Sequence, residues 1–467
     1  MTRRDSLAKN TLLLSIGAFL TKGLSFVMVP FFSRWLSTSD YGTYDLLATY
    51  VTLLLPIIGL ASNEALFRFS MDTNDENEKK KYVSNCFAIF TINSFIFFLI
   101  MFFVRCYVGW DLALYFFVLA IGEVYNLHLR GYLRAIKRLD VYSFVNAITT
   151  VFIAFFTTIF VKLFGLGLRG MILGYGFGYL SGDIIIVIWT KYWKYLSFRI
   201  ISPKGMKKLI DYSYALIPNS LAWWFINVSD RTIINMFLGE VSNGIYAIAY
   251  KIPNILTSVF SVFSVSWQQS STEAISDSNR NEYYNKVFNQ MTTVLIGICC
   301  GVLSLNFLFF NYIFDSRYYE GFRYAPILIA GTVFATISQF YGSIQISFKQ
   351  PKENGVSTVI GAVSNLVIHL SLIKVMGLYA AAISTLMSQF IVCIIRHIRL
   401  KKYVSIKMNM KTVLYFAVYV YFTFMAYIID NVAINIINFV LASVVFLISN
   451  KAIIIKILKK TTHLHGN

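Results

Sequence analysis

Lys22, Arg231 and Lys251 lie inside long hydrophobic runs, whereas the other thirty-eight of the chain's forty-one lysines and arginines lie between such runs or at their ends. A cation near the centre of a bilayer costs on the order of 2.5 to 3.5 kcal/mol even on the more permissive insertion scales. Three of them together cost about as much as the whole net stability of many folded domains. Cations held at that depth suit an anionic cargo, which would offset the cost. The sequence around Arg231 adds polar groups at helical spacing. Asn219, Trp223, Asn227 and either Asp230 or Arg231 recur in steps of three and four, forming one stripe on a helix that is otherwise apolar. The next run repeats the arrangement, with Tyr246, Tyr250, Asn254 and Ser258 in one row and Lys251 alongside. Such stripes cannot face lipid, so two adjacent helices that carry them line a common wet interior. The plainer alternative is a brace: Arg231 paired with Asp230 or another buried acid, and Lys251 snorkelling to the surface. That alternative needs buried acids in comparable number, and the obvious ones are Asp230, Glu123 and Asp183.

The elements that must position these groups follow from composition. The chain is 57% hydrophobic and 13% charged, with a mean hydropathy of +0.63, and so holds more apolar residues than one core of 467 residues could enclose. It reads as an all-α integral membrane protein. Runs long enough to cross about 30 Å of hydrocarbon as helix occur fourteen times, at about 11–32, 43–62, 83–104, 112–127, 142–161, 170–190, 212–237, 243–266, 288–311, 324–347, 356–373, 376–395, 412–429 and 432–450. These are spans 1 to 14. Span 1 is interrupted by Lys22 and followed by no small-residue cleavage site, so it reads as a retained helix rather than a signal peptide.

Loop charge sets the orientation. With the N-terminus in the cytoplasm, the inside segments hold 31 cations and the outside loops hold seven, namely Arg34, Arg105, Lys162, Arg169, Arg317, Arg323 and Lys374. Both termini are then cytoplasmic. The net charge of +19 is largely this topogenic charge, and nucleic-acid binding is not needed to explain it. The five cysteines show no paired spacing in an exposed loop, so neither a disulfide framework nor a metal site is indicated. No catalytic residues are expected either. The histidines His128, His369, His397, His463 and His465 form no cluster, and the outside loops are too short for the acid/base site of a glycan polymerase or acyltransferase.

An internal repeat organises the spans. Asp40-Tyr41-Gly42-Thr43-Tyr44 leads into span 2, and Ser242-Asn243-Gly244-Ile245-Tyr246 leads into span 8, 202 residues later; Gly167-Leu168 before span 6 matches Gly377-Leu378 before span 12, at 210. An even number of intervening spans makes the repeat parallel. It implies two six-helix lobes, residues 1–204 with spans 1 to 6 and 205–405 with spans 7 to 12, followed by spans 13 and 14 and a cytoplasmic tail in 406–467. Gly170, Gly174, Gly178 and Gly182, spaced by four along span 6, read as a helix-packing row.

Ser33-Arg34-Trp35-Leu36 before Asp40-Tyr41-Gly42, the Leu216-Ile217-Pro218-Asn219-Ser220 start of span 7, Ser229-Asp230-Arg231, Asn243-Gly244-Ile245-Tyr246 and Tyr250-Lys251-Ile252-Pro253 together resemble bacterial polysaccharide flippases. These are the Wzx-type transporters of the MOP superfamily, and the similarity extends over essentially the whole chain. The resemblance implies a MATE-like two-lobe fold in the bacterial cytoplasmic membrane and a cargo of undecaprenyl-pyrophosphate-linked oligosaccharide repeat units for O-antigen, capsule or exopolysaccharide. It implies movement to the outer leaflet by alternating access, with Lys22, Arg231 and Lys251 holding the pyrophosphate and Asn219, Trp223, Asn227, Asp230, Tyr250 and Asn254 lining the cavity. Membrane lipid and polysaccharide polymerase or assembly proteins would be partners. No cofactor is implied, and coupling to an ion gradient or the membrane potential stays open. A lipid II flippase shares these features. A MATE-like small-molecule exporter typically takes cationic cargo and carries a carboxylate in span 1, where this chain has Lys22.

The charge map yields a test. Cysteines introduced at positions 75, 135, 205 and 405 are expected to be shielded from an impermeant thiol reagent in intact cells, and one at 317 to react. Labelling at 205 without permeabilisation would invert the topology.

Overall fold

The computed structural model describes the backbone of residues 3–214, 216–428 and 431–464, and the side chains of those residues apart from 3–16, 18, 19, 219, 222, 223, 225–228, 259, 262, 265, 351 and 452–464. The described residues form helices and connecting turns, without a strand. In chain order the α-helices longer than one turn are α1 (Arg3–Trp35), α2 (Thr38–Ile58), α3 (Ser62–Met71), α4 (Glu76–Phe103), α5 (Ala113–Ala135), α6 (Leu139–Thr157), α7 (Gly167–Trp189), α8 (Pro203–Ser213) and α9 (Leu216–Glu273). They continue with α10 (Arg280–Ser304), α11 (Ala325–Ser347), α12 (Pro351–Met376), α13 (Leu378–Leu400), α14 (Met410–Ile428) and α15 (Val432–Leu464). Among the described residues, ten of these helices are long and apolar enough to cross a membrane. The other four apolar runs of the sequence fall on α1, α5 and the two limbs of α9, which meet at Gly239 with φ 81° and ψ 176°. No atom would crowd a Cβ there, so the left-handed φ is what calls for glycine. Polar residues exclude α5 from the apolar set: it carries Glu123, Asn126, His128, Arg130 and Arg134.

Two compact units divide the chain, Met1–Gly244 and Ile245–Asn467. The same devices recur in both. After α5, Ile136, Lys137 and Arg138 N–H donate to Tyr132, Arg134 and Leu133; after α11, Phe348, Lys349 and Gln350 donate to Ile344, Ile346 and Gln345. Both lysines take the left-handed conformation, with φ of 59° and 58°. On α4, Asn85 accepts from Ser202 N at 2.9 Å and donates to Ile200 O at 3.4 Å, tying down the extended segment after α7. On α10, Asn289 does the same for the segment after α13: it donates to Lys407 O at 3.0 Å and accepts from Asn409 N at 3.0 Å and Thr412 Oγ1 at 2.6 Å. These equivalences fall at intervals of 212 and 204 residues, within a few residues of the interval between the sequence motifs.

Gly42 and Gly244, equivalent in that repeat, touch each other within the first unit. A Cβ on Gly42 would lie 2.0 Å from Glu240 O, and one on Gly244 would lie 2.1 Å from Thr38 O. Only glycine permits so close a crossing. Asn243 Nδ2 donates to Gly42 O at 2.8 Å, and Ser39 Oγ to Glu240 Oε2 at 2.7 Å. The glycine row of span 6 is a packing row, as the spacing suggested: Cβ atoms at Gly174, Gly178 and Gly182 would lie 2.4, 2.4 and 2.0 Å from Thr157, Ile153 and Thr149.

Two helices outrun their hydrophobic runs. The run at 112–127 extends as α5 to Ala135, and the run at 376–395 extends as α13 to Leu400, so Arg130 and Arg396 lie within helices and not past their ends. Arg396 is only 7% exposed. Its guanidinium donates to Ser338 O at 2.9 Å, Ser357 Oγ at 3.0 Å, Thr358 Oγ1 at 2.9 Å and Asn354 O at 3.5 Å. A hydropathy window drops at a charge, whereas a helix continues through it when neighbouring helices supply acceptors. The loops expected at 63–82 and 191–211 also contain structure, the short helices α3 and α8. Ser202 caps α8 by accepting from Gly205 N at 3.1 Å, with Pro203 in the first turn.

The buried Asn289 latch carries more stability than its half-buried neighbour Asn285, whose bonds to Ser405 O and Lys407 N are open to solvent. Asn289→Ala is expected to cost about 2 to 3 kcal/mol, because it strands buried backbone groups, and Asn285→Ala less than about 1 kcal/mol, because water replaces the lost partner. Thermal unfolding in detergent measures both. Equal shifts would contradict the latch.

Candidate functional site: the polar interior of the first unit

The helical period of α2 places Tyr41, Asp45 and Thr49 on one face, at steps of four. The first limb of α9 packs its own polar residues onto that face. Trp224 is buried, donates from Nε1 to Thr49 O at 2.9 Å, and stacks on Tyr50 with centroids 6.0 Å apart. Two turns further along, Arg231 Nε donates to Asp45 Oδ2 at 3.4 Å, and Thr232 Oγ1 donates to Tyr50 OH at 3.2 Å. The Arg231 and Asp45 side chains are 8% and 15% exposed, so the pair is well withdrawn from solvent. At 3.4 Å it sits at the long end of the N–H···O range, an ion pair more than a tight hydrogen bond.

Asp45 is the partner of Arg231 that the sequence reading missed. It stands in the third position of the run at 43–62 and was not counted among the interior acids, although its spacing from Tyr41 and Thr49 marks a polar face. Its presence changes the charge balance. In the first unit the spans hold four acids, Asp45, Glu123, Asp183 and Asp230, against Arg130, Arg231 and the exposed Lys22. The interior cations of this unit are matched by protein carboxylates, and a bound anion is not required to offset them. An anion that binds Arg231 must share it with Asp45.

The other sequence-derived site residues are distributed as follows. Asp230, beside Arg231, is 7% exposed. Lys22 stands on α1, the helix whose Gly17 packs against Ser143 of α6. Tyr250, Lys251 and Asn254 belong to the second unit. There the Tyr246 and Tyr250 rings lie 5.9 Å apart, Lys251 is half-buried, and Asn254 is exposed with its carbonyl accepting from Ser258 Oγ at 2.7 Å. The side chains of Asn219, Trp223 and Asn227 lie outside the described residues. A groove of about 580 Å³ between α2, α4 and the start of α5 is lined by Leu46, Leu47, Leu54, Phe97 and Ile100. Its apolar walls exclude it as a phosphate site.

The family profile described as "Polysaccharide biosynthesis protein" matches residues 7–268, a segment containing Lys22, Asp45, Arg231 and Lys251. The "Probable low-salt glycan biosynthesis flippase Agl15" of Haloferax volcanii is 25% identical over 416 residues, which is 86% of this chain and 85% of that protein. Among solved structures, the lipid II flippase MurJ in its inward closed conformation matches with a TM-score of 0.67 at 16% identity, covering 95% of this chain and all of that one. An inward-facing multidrug resistance MATE transporter of the MOP superfamily matches with a TM-score of 0.65 at 12% identity, covering 85% and 98%. These likenesses establish the fold as that of MOP transporters, multi-pass and about fourteen helices long. With more than half its length matched by the family profile, the chain belongs to the polysaccharide biosynthesis protein family, the MOP-type polysaccharide flippases.

Proposed function

We propose that this protein carries undecaprenyl-diphosphate-linked oligosaccharide repeat units from the cytoplasmic to the outer leaflet of a bacterial inner membrane, by alternating access, with both termini in the cytoplasm. The family match over residues 7–268 carries the reading, since it contains all three cations singled out from the sequence. The relative named as a glycan biosynthesis flippase supports the class of cargo. Lys22 in span 1 opposes the cationic cargo of an exporter, and the lipid II flippase shares a fold at 16% identity, a level that speaks for the fold alone.

In this reading Arg231 is a charge in exchange. Asp45 holds the guanidinium while the site is empty, which keeps the cation from standing alone in low dielectric. An arriving diphosphate brings two negative groups and displaces or shares that contact, so the guanidinium never loses a counter-charge during the step. Lys22 and Lys251 add to the field that attracts the headgroup. The polyprenyl tail stays in lipid, and sugar hydroxyls meet the polar stripes of spans 7 and 8.

A double-mutant series separates binding from bracing. Arg231→Ala alone leaves Asp45 buried without its partner, and costs about 3 kcal/mol or more of stability through the stranded charge. Adding Asp45→Asn relieves that penalty. The double variant is expected to reach wild-type abundance and thermal stability in the membrane and still fail to restore polysaccharide export in a strain deleted for the protein. Restored export would make the pair a brace and remove Arg231 from the binding role. Lys251→Arg, which keeps the charge in a different geometry, is expected to retain part of the export that Lys251→Ala loses.

A further inference from the structure

The segment from the end of α7 to the end of α8, residues 190–213, is fixed to the first unit along one side and open along the other. It leaves α7 through Lys191 in the left-handed conformation, with φ 52°, and passes through two short 3₁₀ helices, Tyr192–Lys194 and Phe198–Ile200, into α8. Tyr192 is buried, with its OH 2.7 Å from His128 Nε2 and its ring edge-on to Tyr132 at 4.8 Å between centroids. Ser84 Oγ donates to Tyr195 O at 3.2 Å and accepts from Ser197 N at 3.0 Å, next to the Asn85 latch on Ile200 and Ser202. On α8, Leu209 is buried, Ser213 Oγ donates to Leu60 O at 2.7 Å, and Lys208 lies over the Phe69 ring with Nζ 3.0 Å from Tyr82 OH. Ser84 and Asn85 stand in the first turn of the apolar run at 83–104, so these ties hold the segment at the edge of the hydrocarbon.

The open side is aromatic and cationic. Trp193 and Phe198 are 53% and 75% exposed, and Trp189 in the last turn of α7 is exposed as well. Residues 191–210 hold six cations, Lys191, Lys194, Arg199, Lys204, Lys207 and Lys208, all of them exposed, and no acid. Among the described residues, none of the six enters an ion pair. Glu76, the acid that reaches Tyr195 from α4, is taken by Lys79 at 2.8 Å. Exposed indole and phenyl rings are stable where headgroups meet hydrocarbon, and cations at the same level without protein counter-charges attract anionic headgroups.

The second unit shows how much of this the fold itself needs. Asn409 donates its N–H to the latch residue Asn289 as Ser202 does to Asn85, so residues 401–408 correspond to 190–201. That shorter connection carries no exposed ring: Tyr403, its one aromatic residue, is half-buried and stacks on Phe348 with centroids 5.3 Å apart, and Val404 and Ile406 are buried. Tying the connection to its latch therefore does not require Trp193 or Phe198 to face outward. We propose that the exposed surface of residues 191–207, with Trp193 and Phe198 as its apolar groups and Lys191, Lys194, Arg199, Lys204 and Lys207 as its cations, binds anionic phospholipid of the adjoining leaflet. The rings enter the headgroup boundary, the lysine and arginine stems lie along the acyl chains, and their charged ends receive the phosphodiester of a lipid such as phosphatidylglycerol. Binding at this surface needs neither glycan cargo nor a particular direction of transport. It anchors to the bilayer the stretch of chain that leads from span 6 to span 7.

Quenching of Trp193 fluorescence by brominated lipid tests this on the purified full-length chain. The Trp193 signal is the difference between each protein and its Trp193→Phe counterpart, in mixed vesicles of phosphatidylglycerol and phosphatidylcholine with bromine on the acyl chains of one lipid or the other. In the wild type, brominated phosphatidylglycerol is expected to quench at least about twice as strongly as brominated phosphatidylcholine at the same mole fraction, a preference that shrinks as salt rises. Lys191→Gln, Lys194→Gln and Arg199→Gln together, all at exposed positions, are expected to bring the ratio close to one with unchanged thermal stability. Lys204→Gln with Lys207→Gln, on α8, is expected to lower it in part, and Lys401→Gln with Lys402→Gln, in the second unit, to leave it unaltered. A ratio near one in the wild type overturns the proposal. So does a preference that the first-unit variants retain, or one that the second-unit variant lowers equally, which is a response to net charge alone. Absence of quenching by either lipid also overturns it, since Trp193 then stands clear of the bilayer.

Discussion

A charge at hydrocarbon depth must be matched within a few ångström, and the interior of this protein is arranged around that requirement. Asp45 on α2 meets Arg231 on α9, and the contact fixes how the first limb of α9 lies along α2, together with the Trp224 hydrogen bond to Thr49 and the Thr232 bond to Tyr50. Removing one member leaves the other buried alone, a penalty far larger than the value of the intact pair. The guanidinium of Arg396 obeys the same rule by another route, with backbone carbonyls and hydroxyls from α11 and α12 in place of a carboxylate. Compensation by an acid leaves room for exchange with an anion. Compensation by neutral acceptors leaves a fixed staple.

The charge pair and the helix crossing meet on α9. Its break at Gly239 turns the chain back so that residues 240–244 meet the start of α2, where Gly42 and Gly244 cross in backbone contact. Arg231 therefore sits on a limb held at one end by a polar ladder on α2 and at the other by a glycine crossing that Asn243 and Ser39 tie with hydrogen bonds.

Much of the fold was legible in the sequence. The fourteen apolar runs fall on helices, ten of them long and apolar enough to cross a membrane among the described residues, and the two short motifs at intervals of 202 and 210 residues led to repeated turns and repeated asparagine latches. The glycine row of span 6 was readable because its period equals that of a helix face. Helix ends at Arg130 and Arg396 were not, since a hydropathy window registers a charge as an exit from the membrane whether or not neighbouring helices satisfy it. The site was half legible. Arg231 and Asp230 were visible as charges in an apolar run, but Asp45, third in its own run, was not counted among the interior acids; only the packing of α9 on α2 made it a partner. Which acid lies opposite which base depends on helix rotation across nearly two hundred residues of chain, and local periodicity does not carry that information.

Transbilayer movement of a defined lipid by the purified protein bears most directly on the central claim that this interior passes an anionic, glycan-bearing headgroup. Proteoliposomes containing the wild-type chain and a labelled undecaprenyl-diphosphate oligosaccharide are expected to expose the label to an impermeant glycan-modifying reagent much faster than protein-free vesicles, and to leave a zwitterionic phospholipid with the same label unmoved. Movement no faster than in protein-free vesicles, or equal movement of both lipids, would contradict the account.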